Sequence, residues 1–259
     1  MDKLIYLKTE VQLNEQDNNY LKLKEDAMQL NKYDLHRALR GIPKELKEHM
    51  RGGTVFVGGG YLTSIVRGDK VNDIDVFVGS KDEAQELARS LKSKLDITNE
   101  WKSDNAITLH RLGKPPIQII YRWTFNKIKD VADSFDFTIC CAAIGYEFGP
   151  SGTLEVRSYC DDAFYQDVAA NRLVYRHPVR NEDAGGSMLR MLKYYRRGYT
   201  GPLATTGGVI ARMVGKVDWD KIYSYDGTER EEVLTRVLTA LLVEVDPNSD
   251  PERVLEKRS

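Results

Sequence analysis

The chain has 259 residues, is 41% hydrophobic and carries a formal net charge of −1 at pH 7. That length and apolar content are enough to bury a sizeable core, in one large domain or two small ones. The balanced charge excludes a globally basic nucleic-acid coat but leaves room for a local basic groove. Because the sequence shows no signal peptide and no long apolar span, we expect a soluble, cytoplasmic protein with no membrane partner.

Residues 1–50 are expected to be a helical lead-in. Helical periodicity runs through residues 21–50 and is broken at residues 41–43, where Gly-Ile-Pro stands. Proline is well placed to start a helix, so the next helix is predicted over Lys44–Met50.

Residues 51–160 mix strand and helix patterns without regular alternation, which favours an α+β fold with a mixed β-sheet and flanking helices. The predicted strands are Val55–Val57, Asp73–Val78, Ile97–Lys102, Ala106–Arg111, Ile117–Arg122, the apolar run 134–144 and Gly152–Tyr159. The predicted helices are Tyr61–Arg67, Asp82–Lys94 and Asn126–Ala132, the second capped by Ser80 or Asp82. A turn over residues 113–116 joins two of the strands.

From residue 161 to residue 245 the pattern becomes helical. The predicted helices are Asp161–Ala170, Asp183–Arg197, Gly207–Val217 and Glu229–Val245. Residues 246–259 contain Pro247 and Pro251 and are expected to be a surface tail.

The sulfur and imidazole side chains offer no metal or redox chemistry. Cys140, Cys141 and Cys160 are odd in number, and two of them are adjacent, so they are interpreted as reduced core residues. The four histidines are scattered without the spacing of a zinc site.

Residues 54–79 carry the strongest functional pattern: an apolar strand, three glycines, a short helix and an acidic strand. Backbone N–H groups of the turn at Gly58, Gly59 and Gly60 can approach a phosphate that a Cβ would block. The following helix points its N-terminus at the same place. The period of two along a strand places Asp73 and Asp75 on one face, about 7 Å apart.

Two like charges on a buried strand repel and are costly to desolvate, so they require a compensating cation or water. Mg²⁺ fits, because it prefers oxygen ligands and often takes one or two carboxylates together with substrate phosphates. The alternative is that the glycines form a plain turn and that both acids lie in solvent at a strand end.

This stretch resembles the DNA polymerase beta-like nucleotidyltransferase superfamily, through Gly59-Gly60 followed by Asp73-Ile74-Asp75. The local sequence, with Arg67-Gly68 closing the helix, is most similar to the head domains of CCA-adding and poly(A)-adding enzymes. Thr63 and Ser64 depart from the arginine and aspartate usual after the glycines in those enzymes. The resemblance implies that residues 51–160 are a catalytic head, that residues 161–245 bind nucleotide and acceptor, and that two Mg²⁺ ions are the cofactors.

The same resemblance implies a third carboxylate on a later strand. Asp136 lies within a long apolar run and fits that position as the third metal ligand and as the general base. A strand-entry residue in solvent is the alternative, and Asp133 is the competing assignment, although it reads as part of the preceding turn.

In the predicted helix Asp183–Arg197, Arg190, Lys193 and Arg197 share a face. These cations would hold a nucleoside triphosphate across from the acids, while Tyr194 or Tyr195 would stack on a base. The alternative is a solvated basic face above packed tyrosines.

Together these patterns predict a Mg²⁺-dependent nucleotidyltransferase that moves a nucleoside monophosphate from a nucleoside triphosphate to a hydroxyl and releases pyrophosphate. The expected acceptor is an RNA 3′ end, that of tRNA included. A small molecule or a protein side chain is an alternative acceptor, since the fold alone does not choose between them. A non-catalytic nucleotide or nucleic-acid sensor, and a scaffold with a structural cation site, are the readings from other classes.

Overall fold

The computed structural model describes residues 28–149, 151–176 and 184–245. Its centre is a seven-stranded sheet with the strand order β3-β4-β5-β2-β1-β6-β7. The strands are β1 (Phe56–Gly58), β2 (Ile74–Phe77), β3 (Ile97–Lys102), β4 (Ala106–Arg111), β5 (Lys114–Ile120), β6 (Ala142–Phe148) and β7 (Leu154–Cys160). Strands β2 and β5 run parallel and the other paired strands run antiparallel, so the predicted mixed sheet is confirmed.

Helices flank this sheet and then continue alone toward the C-terminus, which confirms the α+β class. They are α1 (Lys32–Gly41), α2 (Lys44–Met50), α3 (Gly60–Arg67), α4 (Lys81–Lys94), α5 (Ile128–Asp133), α6 (Phe164–Ala169), α7 (Ala184–Arg196), α8 (Leu203–Val214), α9 (Trp219–Tyr223) and α10 (Gly227–Val245). Helix α2 has the predicted bounds, and Ser80 caps α4 by accepting a hydrogen bond from the backbone N–H of Glu83. Residues 1–27 and the predicted tail lie outside the described residues.

In the ranges that the structure describes, the buried side chains form three clusters that follow this layering. The largest fills the space between one face of the sheet and helices α1 to α4, and it continues to α6 and α7. A smaller cluster packs α5 against the other face, around Phe56 and Phe77. A third joins the last helices around Ile222. The sheet is therefore covered on both faces where β1 and β2 lie, and this rigid centre positions the acids.

The prediction that Asp136 lies in a strand is wrong, because the strand begins later, at Ala142. Asp136 lies at a bend, Phe137 forms a bridge with Tyr175, and a 3₁₀ turn then covers Thr138–Cys140 before β6 begins. A continuous apolar run is compatible with any fully buried segment, so its composition did not locate the strand.

The predicted turn over residues 113–116 is shorter than expected, because β5 already begins at Lys114. Pro115 and Pro116 therefore lie in a strand. The β4–β5 pairing is irregular between Leu109 and Arg111, opposite these residues, and a register shift accommodates prolines that cannot donate to the ladder.

The structure also bears on the cysteines and on membrane-spanning helices. All three cysteines are buried and free, as predicted for reduced core residues. Among the helices of the described ranges, none combines the length and the apolar composition needed to cross a bilayer.

Candidate active site

The glycine turn between β1 and α3 closes one side of a cleft. Gly59 has φ +70°, a conformation that side chains with a Cβ rarely adopt, and an added Cβ would lie 2.9 Å from the Phe135 ring. At Gly60 the one described neighbour that an added Cβ would meet is the Tyr194 hydroxyl, at 3.7 Å, an ordinary contact. The protein's own packing therefore requires glycine at 59, whereas Gly60 leaves its backbone open toward the cleft.

The acid pair lies beside this turn. Asp75 is in β2, where it pairs with Gly58 on one side and with Gln118 on the other, and Asp73 directly precedes the strand. Burial, together with the charge of Asp73, raises the pKa of Asp75 to about 7, and Lys193 opposes this rise. A raised pKa means that the ionised form of Asp75 is unfavourable in this environment. A cation bound beside Asp75 would stabilise that ionised form.

Helix α7 forms the opposite side. Arg190, Lys193 and Tyr194, with Arg197 just beyond the last turn, border the same cavity as the acids. Tyr194 is buried, and its hydroxyl lies 2.8 Å from the sulfur of Cys140, so it packs beneath the cations. Burial raises the pKa of Cys140 to about 12, which keeps this thiol protonated and excludes it as a nucleophile at neutral pH.

Asp136 borders this cavity as well, but its carboxylate is already engaged. Its Oδ2 accepts hydrogen bonds from the Ser187 hydroxyl at 2.9 Å and from Arg190, at 2.8 Å from Nε and 2.7 Å from Nη2. Asp136 is almost fully buried, so the Arg190 charge compensates an acid that would otherwise be costly. The other oxygen, Oδ1, accepts no hydrogen bond from the residues that the structure describes. Asp133, by contrast, is exposed and paired with Lys129.

The cavity between the two sides has a volume of about 250 Å³. Of the residues singled out from the sequence, it is bordered by Gly60, Asp73, Asp75, Asp136, Arg190, Lys193, Tyr194 and Arg197. Gly59 shapes the turn behind it, and the Tyr195 hydroxyl bonds to Thr206 instead. A second cavity of about 180 Å³ shares Gly60 and Arg197 with the first and adds Arg67 and Lys70.

Several residues of this cavity were not singled out from the sequence. Ser64 borders both cavities one turn after Gly60, at a position first noted as a departure from the family pattern. Gln118 faces the acids from the neighbouring parallel strand. The signal that could have found it is a polar residue inside the apolar run Ile117–Ile120. Trp123 and Phe135 also border the cavity, and neither carries a local sequence signal.

The acids of the cavity offer oxygen ligands for a metal ion. Within residues 28–149, 151–176 and 184–245, no group of three or more His, Cys, Asp and Glu side chains is arranged to hold one. The pair Asp73 and Asp75 fits a hard divalent cation, since each carboxylate offers oxygen ligands and Lys193 offsets only part of the cost of their charges. Asp136 contributes only Oδ1 while Arg190 occupies Oδ2.

The fold and the cavity together define an α+β protein in which two acids and a row of cations face each other across one cleft. The sequence model described as "Gabija anti-defense 2 family protein" matches residues 29–171, more than half of the chain. The chain therefore belongs to the Gabija anti-defense 2 family.

Comparison with individual proteins gives more distant matches. The chain is 25% identical over 107 residues to "Gabija anti-defense 2" of Bacillus phage SPbetaL7, which covers 41% of this chain and 26% of the relative. Among solved structures, a CCA-adding enzyme of Thermotoga maritima complexed with tRNA has 21% identity and a TM-score of 0.45, covering 78% of this chain and 49% of that one.

A CCA-adding enzyme in complex with CTP has 19% identity and a TM-score of 0.48, over 79% of this chain and 54% of the enzyme. The chain thus spans about half the length of these enzymes and about a quarter of the phage relative. These structures are of the kind that the sequence resemblance named, whereas the family itself is described by a role in anti-defence.

Proposed function

We propose that the chain is a nucleotidyltransferase that moves a nucleoside monophosphate from a nucleoside triphosphate to a hydroxyl group and releases pyrophosphate. The observation that carries the proposal is the cleft in which Asp73 and Asp75 face Lys193 and Arg197 beside the open backbone of Gly60. Oxygen ligands for a cation and positive charges for a polyphosphate stand within one cavity of about 250 Å³, which is the combination that nucleotidyl transfer requires.

The sheet side of the cleft is proposed to hold Mg²⁺. Asp73 and Asp75 would be its ligands, and Asp136 would stand beside them with Oδ1 available to the acceptor. When bound, the metal would neutralise charge on the phosphates and favour ionisation of the attacking hydroxyl. The raised pKa of Asp75 supports this placement, because a divalent cation offsets the two costs that raise it, burial and the charge of Asp73.

The helix side is proposed to hold the triphosphate. Lys193 is close enough to Asp75 to influence its pKa, so a phosphate chain that begins at the acids would reach Lys193 and then Arg197. Arg190 differs from both, because it already binds Asp136. We assign it mainly to fixing the position of α7 and Asp136, with a contact to the phosphates as its second role.

In the transfer, the hydroxyl oxygen of the acceptor attacks the α-phosphorus, and the bond from that phosphorus to the bridging oxygen breaks. Pyrophosphate leaves with the bonding electrons, on the side of Lys193 and Arg197. The proton of the attacking hydroxyl would pass to Asp136 at Oδ1, the oxygen that Arg190 leaves available.

The proposed acceptor is an RNA 3′ end, tRNA included, and a protein side chain or a small molecule is the alternative. The family description adds the biological setting: the transfer would act against Gabija defence, through an acceptor that belongs to that setting. A sensor that binds nucleotide without transferring it is the second candidate, favoured by one observation, the engagement of Asp136 by Arg190.

The direct test is incubation of the protein with each α-labelled nucleoside triphosphate and Mg²⁺, with total RNA, with total protein or with neither. Wild-type protein should label RNA, and Asp73→Asn should not. Asp133→Asn is the matched control, because it neutralises an exposed acid outside the cavity, and it should transfer like the wild type. Tight nucleotide binding with no label in any acceptor would favour the sensor.

A further inference from the structure

The cavity is not uniform along its length. On the face of β2 that carries the acids, the period of two brings Phe77 next after Asp75. On the parallel neighbour β5, Gln118 pairs with Asp75 and Ile120 pairs with Phe77. Two residues along these strands, a distance of about 7 Å, the side chains that line the cavity therefore change from acid and amide to apolar.

Aromatic rings complete this apolar end. Phe135 stands edge-on to Phe77, with ring centroids 5.6 Å apart, and Phe125 supports Phe77 from behind at 5.8 Å. Trp123 borders the opening, and the Arg122 guanidinium lies over its ring at 5.0 Å. We call Phe77, Ile120, Trp123 and Phe135 the aromatic end; all four border the larger cavity and none borders the smaller one.

Among the cations of the larger cavity, Arg197 lies toward the other end. Arg197 and Gly60 are shared with the smaller cavity, which continues to Arg67 and Lys70. In an in-line displacement the attacking and leaving oxygens stand on opposite sides of the phosphorus. If pyrophosphate leaves toward Arg197, the attacking hydroxyl arrives from the aromatic end.

Gln118 indicates what kind of group enters there. Its half-buried carboxamide stands at the boundary between acids and aromatic rings, and within the described part of the chain it forms no hydrogen bond. A carboxamide presents one donor and one acceptor side by side, which matches the edge of a nucleobase. A phenol ring would have to direct its one hydroxyl to the acids and would leave this amide unsatisfied.

We propose that the aromatic end is the acceptor subsite and that it holds the terminal nucleobase of single-stranded RNA, stacked on the aromatic rings and bonded to Gln118. This inference rests on the proposed function for the direction of the reaction. It adds the part of the cavity that holds the terminal base of the acceptor and the residues that select that base. The donor nucleotide, by contrast, is held at the opposite end by its phosphates.

The test measures RNA binding separately from nucleotide binding on the full chain, so that it does not depend on catalysis. Single-stranded RNAs of about ten nucleotides, labelled at the 5′ end, are titrated by fluorescence anisotropy, and unlabelled nucleoside monophosphates compete in a parallel arm. Nucleoside triphosphate binding with Mg²⁺ is measured by calorimetry on the same samples.

Trp123→Ala and Gln118→Ala should each weaken RNA binding about five- to hundredfold, the range of one lost base-stacking or base-edge contact, and leave nucleoside triphosphate affinity unchanged. Trp123→Phe should restore much of the binding, because a ring face is kept. Trp101→Ala is the matched control, since Trp101 is exposed on β3 and does not border the cavity. Competition by monophosphates at similar affinity would identify the free nucleotide, rather than the RNA end, as the source of the base.

Loss of nucleoside triphosphate affinity in Trp123→Ala would overturn the inference, because the aromatic end would then hold the donor base. RNA binding that is absent, or is unchanged in both variants, would also overturn it, as would label transferred to protein in preference to RNA. Failure of the proposed function gives a different result: wild-type protein that binds no nucleoside triphosphate with Mg²⁺.

Discussion

The two sides of the cleft differ in how far apart along the chain their interacting residues lie. On the sheet side, the glycine turn and the acids fall within residues 58–75, and β1 and β2 pair directly. On the helix side, Arg190 depends on Asp136, a residue 54 positions earlier in the chain. A local pattern can therefore specify the sheet side, whereas the helix side is defined only when the chain has folded.

The largest expected effect is the loss of transfer activity when an acid on the sheet side is neutralised. Asp73→Asn or Asp75→Asn should reduce transfer by about 10³-fold or more, because each removes a metal ligand from the reacting centre. The fold should persist, and with chelator present the melting temperature should hold steady or rise, because one of two repelling charges is gone. Steady-state transfer and thermal melting measure both; retained activity would remove the acids from the site.

Substitutions on the helix side should change the affinity for nucleoside triphosphate. Lys193→Ala should weaken nucleoside triphosphate affinity about ten- to hundredfold, the loss of one charge-assisted contact, and added salt should shrink the difference. Arg196→Ala is the matched control, because Arg196 is exposed on the same helix and does not border the cavity. Equal titration curves for the two variants would make this helix a solvated basic face.

The third expected effect concerns stability. Arg190→Ala should lower the free energy of unfolding by about 1.5–3 kcal/mol, because it leaves the buried Asp136 carboxylate with Ser187 alone. Lys193→Ala should stay within about 0.5 kcal/mol of wild type. Denaturant unfolding of Arg190→Ala, Asp136→Asn and the double variant gives the coupling. Additive effects would show that the pair does not join the two sides.

The last expected effect is a pH dependence in the stability of the metal-free protein. The pKa of Asp75 is about 7 in the fold and about 4 in an unfolded chain, so the folded state binds the extra proton between these values. Stability should therefore fall as pH rises from about 4 to about 7 and then level off. Thermal melting of the wild type and of Asp75→Asn, with chelator and over this pH range, measures the effect. The variant should lack the part of the pH dependence that Asp75 causes.

The sheet side of the cleft was predictable because each step is local. A glycine turn needs glycines, an acidic strand alternates with a period of two, and both signals lie within about twenty residues of sequence. The bounds of α2 and the Ser80 cap followed from equally local rules.

The partners of Asp136 could not be predicted from local sequence. Its apolar surroundings indicated burial correctly, but burial has several possible partners, and the sequence suggested a metal where the fold supplies Arg190 and Ser187. The positions of Gln118 and Trp123 on the cavity result from strand order and from a loop, and no short window of sequence encodes either.

The measurement that tests the central claim most directly is the affinity for nucleoside triphosphate with and without Mg²⁺, in wild type, Asp75→Asn and Lys193→Ala. If both sides of the cleft hold one nucleotide, Mg²⁺ should strengthen binding to the wild type, and Asp75→Asn should abolish that gain. Lys193→Ala should bind more weakly in both conditions and keep the gain. Affinity that is indifferent to Mg²⁺ and to both substitutions would contradict the account.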